Sequence, residues 1–137
     1  MSGFTLTATA AAPVEEVWKL LFDPTRFPEW WAGIAAARAE EAGAYTLWSD
    51  GRPDHPLPQQ MRADRGAGRV AMSCKVHDNE FIWQLAEHGD GTGITVRAVV
   101  APASAHQLDR TRELLAASLP RLAALAEAAA RGGSPVR

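Results

Sequence analysis

The chain has 137 residues, of which 47% are hydrophobic and 22% charged, and its formal net charge is −2. The length suits one globular domain with its own core, and the small negative charge argues against nucleic acid or anionic membrane as a partner. No apolar run approaches the roughly 20 residues of a membrane span, and the N-terminus lacks the pattern of a secretion signal. Cys74 is the only cysteine, which excludes an internal disulfide and favours the reducing cytoplasm.

The N-terminal segment predicts a strand and then a helix. Apolar and polar residues alternate over Phe4–Thr9, which is typical of a half-buried strand. Pro13 suits the first turn of a helix, where its missing N–H needs no partner. From Val14 to Phe22 the apolar residues recur at helical spacing, so one face of this helix is expected to be buried.

A second, shorter helix is predicted directly after the first. Asp23 is a favourable helix cap and Pro24 a favourable first-turn residue, and the segment Thr25–Trp31 ends in a pair of tryptophans. A helix this short is not stable alone. We therefore expect its aromatic side chains to be held against the rest of the core.

Six more strands are predicted between these helices and the C-terminal third, at Ile34–Arg38, Ala44–Trp48, Gln59–Asp64, Arg69–His77, Glu80–Glu87 and Gly93–Ala101. Three of the links between them have hairpin length, at Arg65–Gly68, Asp78-Asn79 and Gly89–Thr92. Strands joined in this way are antiparallel, and their alternation of apolar and polar residues predicts a sheet covered on one face only.

One long helix is predicted at the end of the chain. Ser104 and Gln107 resemble a capping box, and leucines and alanines continue at helical spacing over Leu108–Ala129. Pro120 lies inside this helix and should bend it.

Together these elements predict an α+β fold. A seven-stranded, curled antiparallel sheet wraps around the long C-terminal helix, and two short helices lie between the first and second strands. One domain is expected over residues 1–131, followed by a frayed tail at 132–137.

Four segments carry a likeness to a known family: Ala12–Trp18, Asp23-Pro24, Phe27–Trp31 and, before the last strand, Asp90–Thr92. In these the sequence resembles the START-like (SRPBCC) superfamily, which has a Bet v1-like helix-grip fold, and within it the polyketide cyclase/dehydrase and lipid-transport branch. The segments are signatures of the fold and not of a catalytic site. The resemblance implies a deep cavity between sheet and long helix for an apolar or amphipathic ligand.

Strand and helix periodicity then predict which side chains line this cavity. The concave face of the sheet is expected to present Tyr45, Gln59, Met61, Met72, Cys74 and Trp83. The long helix is expected to present Leu115, Ser118, Leu119 and Leu122. Phe27 and Trp31 should lie near the mouth, under the short helices.

Each of these residues also has a purely structural interpretation. The methionines and leucines suit a plain core as well as an adaptable pocket, Trp83 suits packing as well as a flat wall, and Cys74 suits an inert buried thiol. An inward Gln59 needs a partner that a ligand could supply, unless its amide reaches solvent at the strand end. Ser118 on an apolar helix face usually bonds back to a carbonyl one turn earlier. Bulky side chains could also leave the cavity nearly filled.

No catalytic or metal-binding motif is present in the sequence. The four histidines are scattered without metal-ligand spacing, and no nucleophile elbow or phosphate-binding loop occurs. Neither a metal nor a cofactor is therefore expected. The segment Gly51–Pro58 contains three prolines around Asp54 and His55, and it fits either part of a cavity lid or a rigid hairpin turn.

Three functions remain open on the sequence alone. The favoured one is binding of a small hydrophobic or amphipathic, lipid- or polyketide-like molecule by a carrier or sensor. The resemblance implies an alternative, an aromatase/cyclase-type enzyme that folds a polyketide and assists aldol closure and dehydration, with Tyr45, Gln59 and Ser118 as candidate polar groups. The third is a protein-interaction module similar to the chaperone-activator relatives. The expected partner is a small hydrophobic ligand, and the chain is expected to be a monomer or a homodimer.

Overall fold

The computed structural model describes residues 2–74 and 78–132, and in this part of the chain seven strands form one sheet. The strands and α-helices are, in chain order, β1 (Ser2–Ala10), α1 (Val14–Leu21), α2 (Phe27–Trp30), β2 (Ile34–Ala39), β3 (Ala44–Ser49), β4 (Leu57–Asp64), β5 (Arg69–Cys74), β6 (Glu80–His88), β7 (Gly91–Val100) and α3 (Leu108–Gly132). Short 3₁₀ helices precede α2, β3 and α3, at Pro24–Arg26, Glu41–Gly43 and Pro102–Gln107. The end of one predicted strand, Lys75–His77, and residues 133–137 of the predicted tail lie outside the described residues.

All strand pairs in the sheet are antiparallel, in the order β1-β7-β6-β5-β4-β3-β2. Strands β2 to β7 follow one another as a meander, and β1 pairs with β7 from Ser2 opposite Val100 to Ala10 opposite Thr92. Strands β1 and β2 are therefore the two edges. The predicted α+β helix-grip architecture is confirmed, with a curled sheet, a long C-terminal helix and two short helices between β1 and β2.

The strand register aligns apolar side chains in rows on the concave face of the sheet. Met72 lies opposite Met61 on one neighbouring strand and Phe81 on the other. In the adjacent row Trp83 lies opposite Val70. Because side chains of a strand alternate between its two faces, these rows stack as layers of one core, to which all five residues belong or against which they pack.

Side chains hold the two short helices in place: Asp23 caps the turn between them, and Trp30 of α2 bonds to the end of α1. The Asp23 carboxylate accepts a hydrogen bond from the Thr25 N–H at 3.1 Å, as the predicted cap requires. The Trp30 indole N–H donates to the Leu20 carbonyl oxygen at 3.2 Å. Phe27 and Trp30 are fully buried, so α2 is held by the core and not by its own backbone hydrogen bonds.

Helix α3 closes the concave side of the sheet. Its backbone approaches β1, α1 and α2 most closely, whereas β3 to β6 lie further away. The Arg112 guanidinium lies 5.1 Å from the centre of the Phe4 ring, and Glu127 Oε2 accepts a hydrogen bond from the Ala11 N–H at 2.8 Å. Side chains of α3 and of the middle strands therefore extend into the space between them.

The start of α3 differs from the prediction. The chain over Pro102–Gln107 forms a 3₁₀ helix, so that α3 begins at Leu108 and Ser104 of the predicted capping box lies within the preceding turn. Pro120 lies inside α3, as predicted.

Candidate ligand-binding site

Six aromatic rings, from α2, from Trp31 directly after it and from the sheet, meet in the interior. They are Phe27, Trp30, Trp31, Tyr45, Phe81 and Trp83, here called the aromatic cluster. Phe27 meets Tyr45 edge-on with ring centroids 5.6 Å apart, and Trp31 meets Trp83 edge-on at 5.7 Å. Such geometry is favourable for aromatic pairs. The rings of α2 therefore bridge β3 to β6, and Phe27 and Trp31, predicted near a mouth, are both buried.

The six side chains predicted on the concave face of the sheet are all buried: Tyr45, Gln59, Met61, Met72, Cys74 and Trp83. Three of them form one row across the sheet, because Tyr45 lies opposite Gln59 and Gln59 lies opposite Cys74. The structure thus brings the strand residues to one face. Their contact with a ligand stays a prediction.

The four predicted residues of α3 are also buried: Leu115, Ser118, Leu119 and Leu122. The Ser118 hydroxyl donates to the Leu114 carbonyl oxygen at 2.6 Å and accepts from the Ala32 N–H at 2.8 Å. Its single donor is therefore used within the protein, and its visible role is to tie the turn after α2 to α3.

Two buried polar atoms of the aromatic cluster, Tyr45 Oη and Trp83 Nε1, have no hydrogen-bond partner among the described residues. Gln59 is also buried, and its amide N–H donates a long hydrogen bond of 3.4 Å to the Leu57 carbonyl oxygen. Burial raises the pKa of the Tyr45 phenol well above its usual value, and nearby Cys74 raises the pKa further. The Tyr45 hydroxyl is therefore protonated at neutral pH and available as a donor.

A cleft of about 810 Å³ lies at one end of the interior, between the β3–β4 connection, the turn before β2 and the start of α3. We call it the loop cleft. Its lining residues are Gly33, Ser49, Asp50, Arg52, Asp54, His55, Pro56, Leu57, Gln107, Arg110 and Leu114. Leu57 packs against the core, and Leu114 lies so close to Gly33 that an added Cβ there would be 3.2 Å from Leu114 Cδ2. These two leucines form the apolar base of the cleft, and most of its other lining residues are polar.

The rim of the loop cleft carries charges of both signs. Asp50, Arg52, Asp54 and Arg110 are exposed, and in the described part of the chain none of them forms an ion pair. The proline-rich segment Gly51–Pro58 was the one sequence signal for this cleft. No such signal marked Gln107, Arg110 and Leu114, because only the fold brings the start of α3 and the turn before it beside a loop that is distant in sequence.

Neither a metal site nor a membrane helix is found where the structure describes the chain. Within residues 2–74 and 78–132 no group of three or more His, Cys, Asp or Glu side chains could hold a metal ion. In the same ranges no helix combines the length and apolar character needed to cross a membrane.

The sequence matches the family model for polyketide cyclase/dehydrase and lipid transport over residues 1–127. The chain belongs to this family. No protein with curated annotation is detectably similar to it in sequence. The family fixes the fold and leaves open which activity this member has.

Solved structures with the fold of this polyketide cyclase/dehydrase family member include proteins of bacterial origin. A Chromobacterium violaceum protein superimposes with a TM-score of 0.75 at 20% identity, covering 93% of this chain and 99% of that one. The Bacillus cereus protein XoxI gives 0.75 at 14% identity, covering 90% and 94%. The di-domain ARO/CYC StfQ from the steffimycin biosynthetic pathway gives 0.68 at 21% identity, covering 91% of this chain and 44% of StfQ.

Proposed function

We propose that the protein binds a small hydrophobic or amphipathic molecule, with the apolar part between sheet and α3 and the polar part at the loop cleft. The observation that carries this proposal is the loop cleft, which has a volume of about 810 Å³. Small-molecule pockets measure roughly 300–1,000 Å³, and the volume of the loop cleft lies in this range. A cleft with an apolar base and a charged rim matches a ligand with two such parts.

The apolar part of the cleft supports the same ligand class. Leu57 and Leu114 form its base, and Leu57 packs against the core that also contains most of the aromatic cluster. Membership of a family described by polyketides and lipids agrees with a ligand rich in apolar surface. Burying such surface gains about 25 cal/mol per Å², so the apolar part of the ligand supplies most of the binding free energy.

The direct test is native mass spectrometry of the purified protein, followed by binding of the amphipathic dye 1-anilinonaphthalene-8-sulfonate. We expect either a mass that is lost on denaturation or saturable dye binding to the folded chain. Leu114→Trp fills the base of the cleft and should weaken dye binding at least tenfold. Leu125→Trp, a half-buried α3 position outside the cleft, is the matched control and should leave dye affinity unchanged. A bare protein that binds no dye would refute the proposal.

A second candidate function is catalysis of cyclisation and dehydration on a polyketide chain. It is favoured by the Tyr45 hydroxyl, which is buried, protonated and without a partner among the described residues. The likeness to StfQ and to DynU16, described as belonging to the dynemicin biosynthetic locus, favours it too. Such a hydroxyl can donate a proton to a carbonyl oxygen as an aldol bond forms. Turnover of a poly-β-keto thioester that Tyr45→Phe or Gln59→Ala lowers, at an unchanged melting temperature, would identify an enzyme.

A further inference from the structure

The two edge strands of the sheet are protected to different degrees. In β2 the pairing register shifts between Ile34 and Ala36, and the exposed Arg38 forms an ion pair of 2.9 Å with Glu40. Bulges and charged side chains are the usual devices that keep an edge strand from pairing with another chain. Strand β1 has neither, because its nine residues carry no charge and no proline and pair with β7 without a register shift. The β1 edge is therefore open to a further strand.

The outer side of β1 offers unpaired backbone groups beside an apolar groove. Among the described residues, the N–H and C=O groups of Ser2–Ala10 have hydrogen-bond partners only on β7, so those that point away from β7 have none. A groove of about 380 Å³, here called the β1 groove, lies between this strand and α3. Its lining residues are all uncharged: Leu6, Thr7, Ala8, Thr9, Ala116, Leu119, Pro120 and Ala123. An added strand would find both hydrogen-bonding groups and apolar surface there.

The sequence of β1 is nearly self-complementary about Leu6. When two β1 strands pair antiparallel around a two-fold axis at Leu6, Thr5 of one copy lies opposite Thr7 of the other, and Phe4 lies opposite Ala8. Threonines then face threonines on the exposed side of the sheet, and apolar side chains face apolar ones on the concave side, which are favourable cross-strand pairs. Nine residues paired in this way form about eight to ten backbone hydrogen bonds.

The two ends of the β1 groove carry opposite charges. At one end the Arg112 guanidinium lies 5.1 Å from the centre of the Phe4 ring, and in the described part of the chain it forms no ion pair. At the other end Glu127 Oε2 accepts a hydrogen bond from the Ala11 N–H at 2.8 Å. Since the two strands run in opposite directions, the Arg112 end of each copy lies beside the Glu127 end of the other. The charges are therefore complementary when two copies pair about Leu6.

We infer that two copies of this chain associate through β1, in an antiparallel pair centred on Leu6 that continues the sheet from one copy into the other. An extended segment of a different protein could use the same backbone groups, but a second copy also matches the threonine pattern and the charged ends. The inference goes beyond the proposed function and requires no ligand. The symmetric contact covers the long edge of the sheet that has no protection of its own.

Sedimentation equilibrium of the purified chain at micromolar concentrations tests this association. We expect a mass of twice the 14.7 kDa of one chain. Thr5→Lys/Thr7→Lys brings like charges together across the axis and should raise the dissociation constant of the dimer at least about tenfold. Both threonines are exposed, so the fold is retained, which circular dichroism checks. Ala35→Lys/Ala39→Lys is the matched control at exposed positions of β2 and should leave the dissociation constant unchanged.

A third variant reports the register of the pair. Thr5→Lys/Thr7→Glu places opposite charges across the axis when position 5 of one copy lies opposite position 7 of the other, so we expect it to dimerise at least as tightly as wild type. Dissociation as strong as in Thr5→Lys/Thr7→Lys would overturn the pairing about Leu6. A wild type that sediments as a monomer would overturn the association and leave the β1 edge to an extended segment of another protein. An unchanged dimer in Thr5→Lys/Thr7→Lys would overturn it too, because the copies would then meet at another surface.

Discussion

Among single residues, Ser118 has the clearest consequence for stability. Its hydroxyl accepts a hydrogen bond from the buried Ala32 N–H, for which the described residues provide no second acceptor. We predict that Ser118→Ala lowers the free energy of unfolding by about 1–2 kcal/mol, because the orphaned N–H costs more than the higher helix propensity of alanine returns. Urea unfolding followed by circular dichroism measures the change.

The control for this substitution is Ala117→Ser, which adds the same hydroxyl at an exposed position of α3. It should change the free energy of unfolding by less than about 0.5 kcal/mol. Equal stabilities of wild type and Ser118→Ala would show that the bridge from Ala32 to α3 contributes nothing.

The face on which a site residue lies could be predicted from the sequence, but its hydrogen-bond partners could not. Tyr45, Gln59 and Trp83 could be placed on the concave face because strand periodicity alone assigns a face. The partner of Ser118 could not be predicted, since Ala32 is apolar and only its backbone N–H takes part. For a similar reason the sequence could place Tyr45 and Trp83 on the concave face, but it could not predict that their polar atoms find no hydrogen-bond partner among the described residues. That property depends on every neighbour at once.

Among the secondary structure elements, α3 carries an internal weakness at Pro120. Proline cannot donate the hydrogen bond that the Ala116 carbonyl oxygen would receive in an unbroken helix, and the residue is exposed. We predict that Pro120→Ala raises the free energy of unfolding by about 1–2 kcal/mol, after allowing for the greater flexibility that the unfolded chain gains. Chemical denaturation measures it, with Arg121→Ala as an exposed neighbouring control. Destabilisation by Pro120→Ala would mean that α3 needs the proline to keep its fit against β1.

The hairpin between β4 and β5 depends on Gly68. Its φ is +66°, and an added Cβ would lie 2.7 Å from the Leu85 carbonyl oxygen of β6. Gly51 has a similar φ of +75° but open space around it. We predict that Gly51→Ala costs about 1 kcal/mol, from the left-handed conformation alone. Gly68→Ala should cost at least about 1 kcal/mol more, because a backbone carbonyl must move. Equal thermal unfolding midpoints of the two variants would contradict this steric argument.

The strands and helices could be predicted from the sequence more completely than the contacts of the candidate site. Alternation over Phe4–Thr9 and Gly93–Ala101 identified the strands that pair as β1 and β7, although their ends differ by one or two residues. The 3₁₀ helix at Pro102–Gln107 was not predicted, because its local spacing resembles the first turn of an α-helix. The loop cleft escaped prediction for a different reason. Its walls come from segments that are distant in sequence, and no local pattern encodes their meeting.

For the whole molecule, the buried phenol makes stability depend on pH in the alkaline range. Tyr45 has a raised pKa in the folded state, so its proton is held more tightly there than in the unfolded chain, where the pKa is about 10. The stabilisation is complete below pH 10 and is lost above it. We predict that the free energy of unfolding of wild type falls faster with pH than that of Tyr45→Phe, by up to about 1.4 kcal/mol per pH unit.

A spectroscopic measurement checks the same point. Tyr45 is the only tyrosine of the chain, so absorbance of tyrosinate near 295 nm reports this one group. The folded protein should show no tyrosinate signal at pH 10.5, roughly half a unit above the ordinary pKa, and the signal should develop on unfolding in urea at that pH. Tyrosinate in the folded protein at pH 10.5 would contradict the burial of this hydroxyl.

The pairing of β1 with β7 has a consequence for how the chain is made. Ser2–Ala10 is synthesised before the other described strands, but its partner Gly91–Val100 is synthesised only after them. Until then the apolar side of β1 has no sheet to join, and α1 and α2 have only part of the surface that buries them. Closing so long a loop is slow compared with forming the hairpins of β2 to β7. Nascent chains that stall before β7 are therefore prone to aggregation. Any truncation that removes β7 also removes the strand with which β1 pairs.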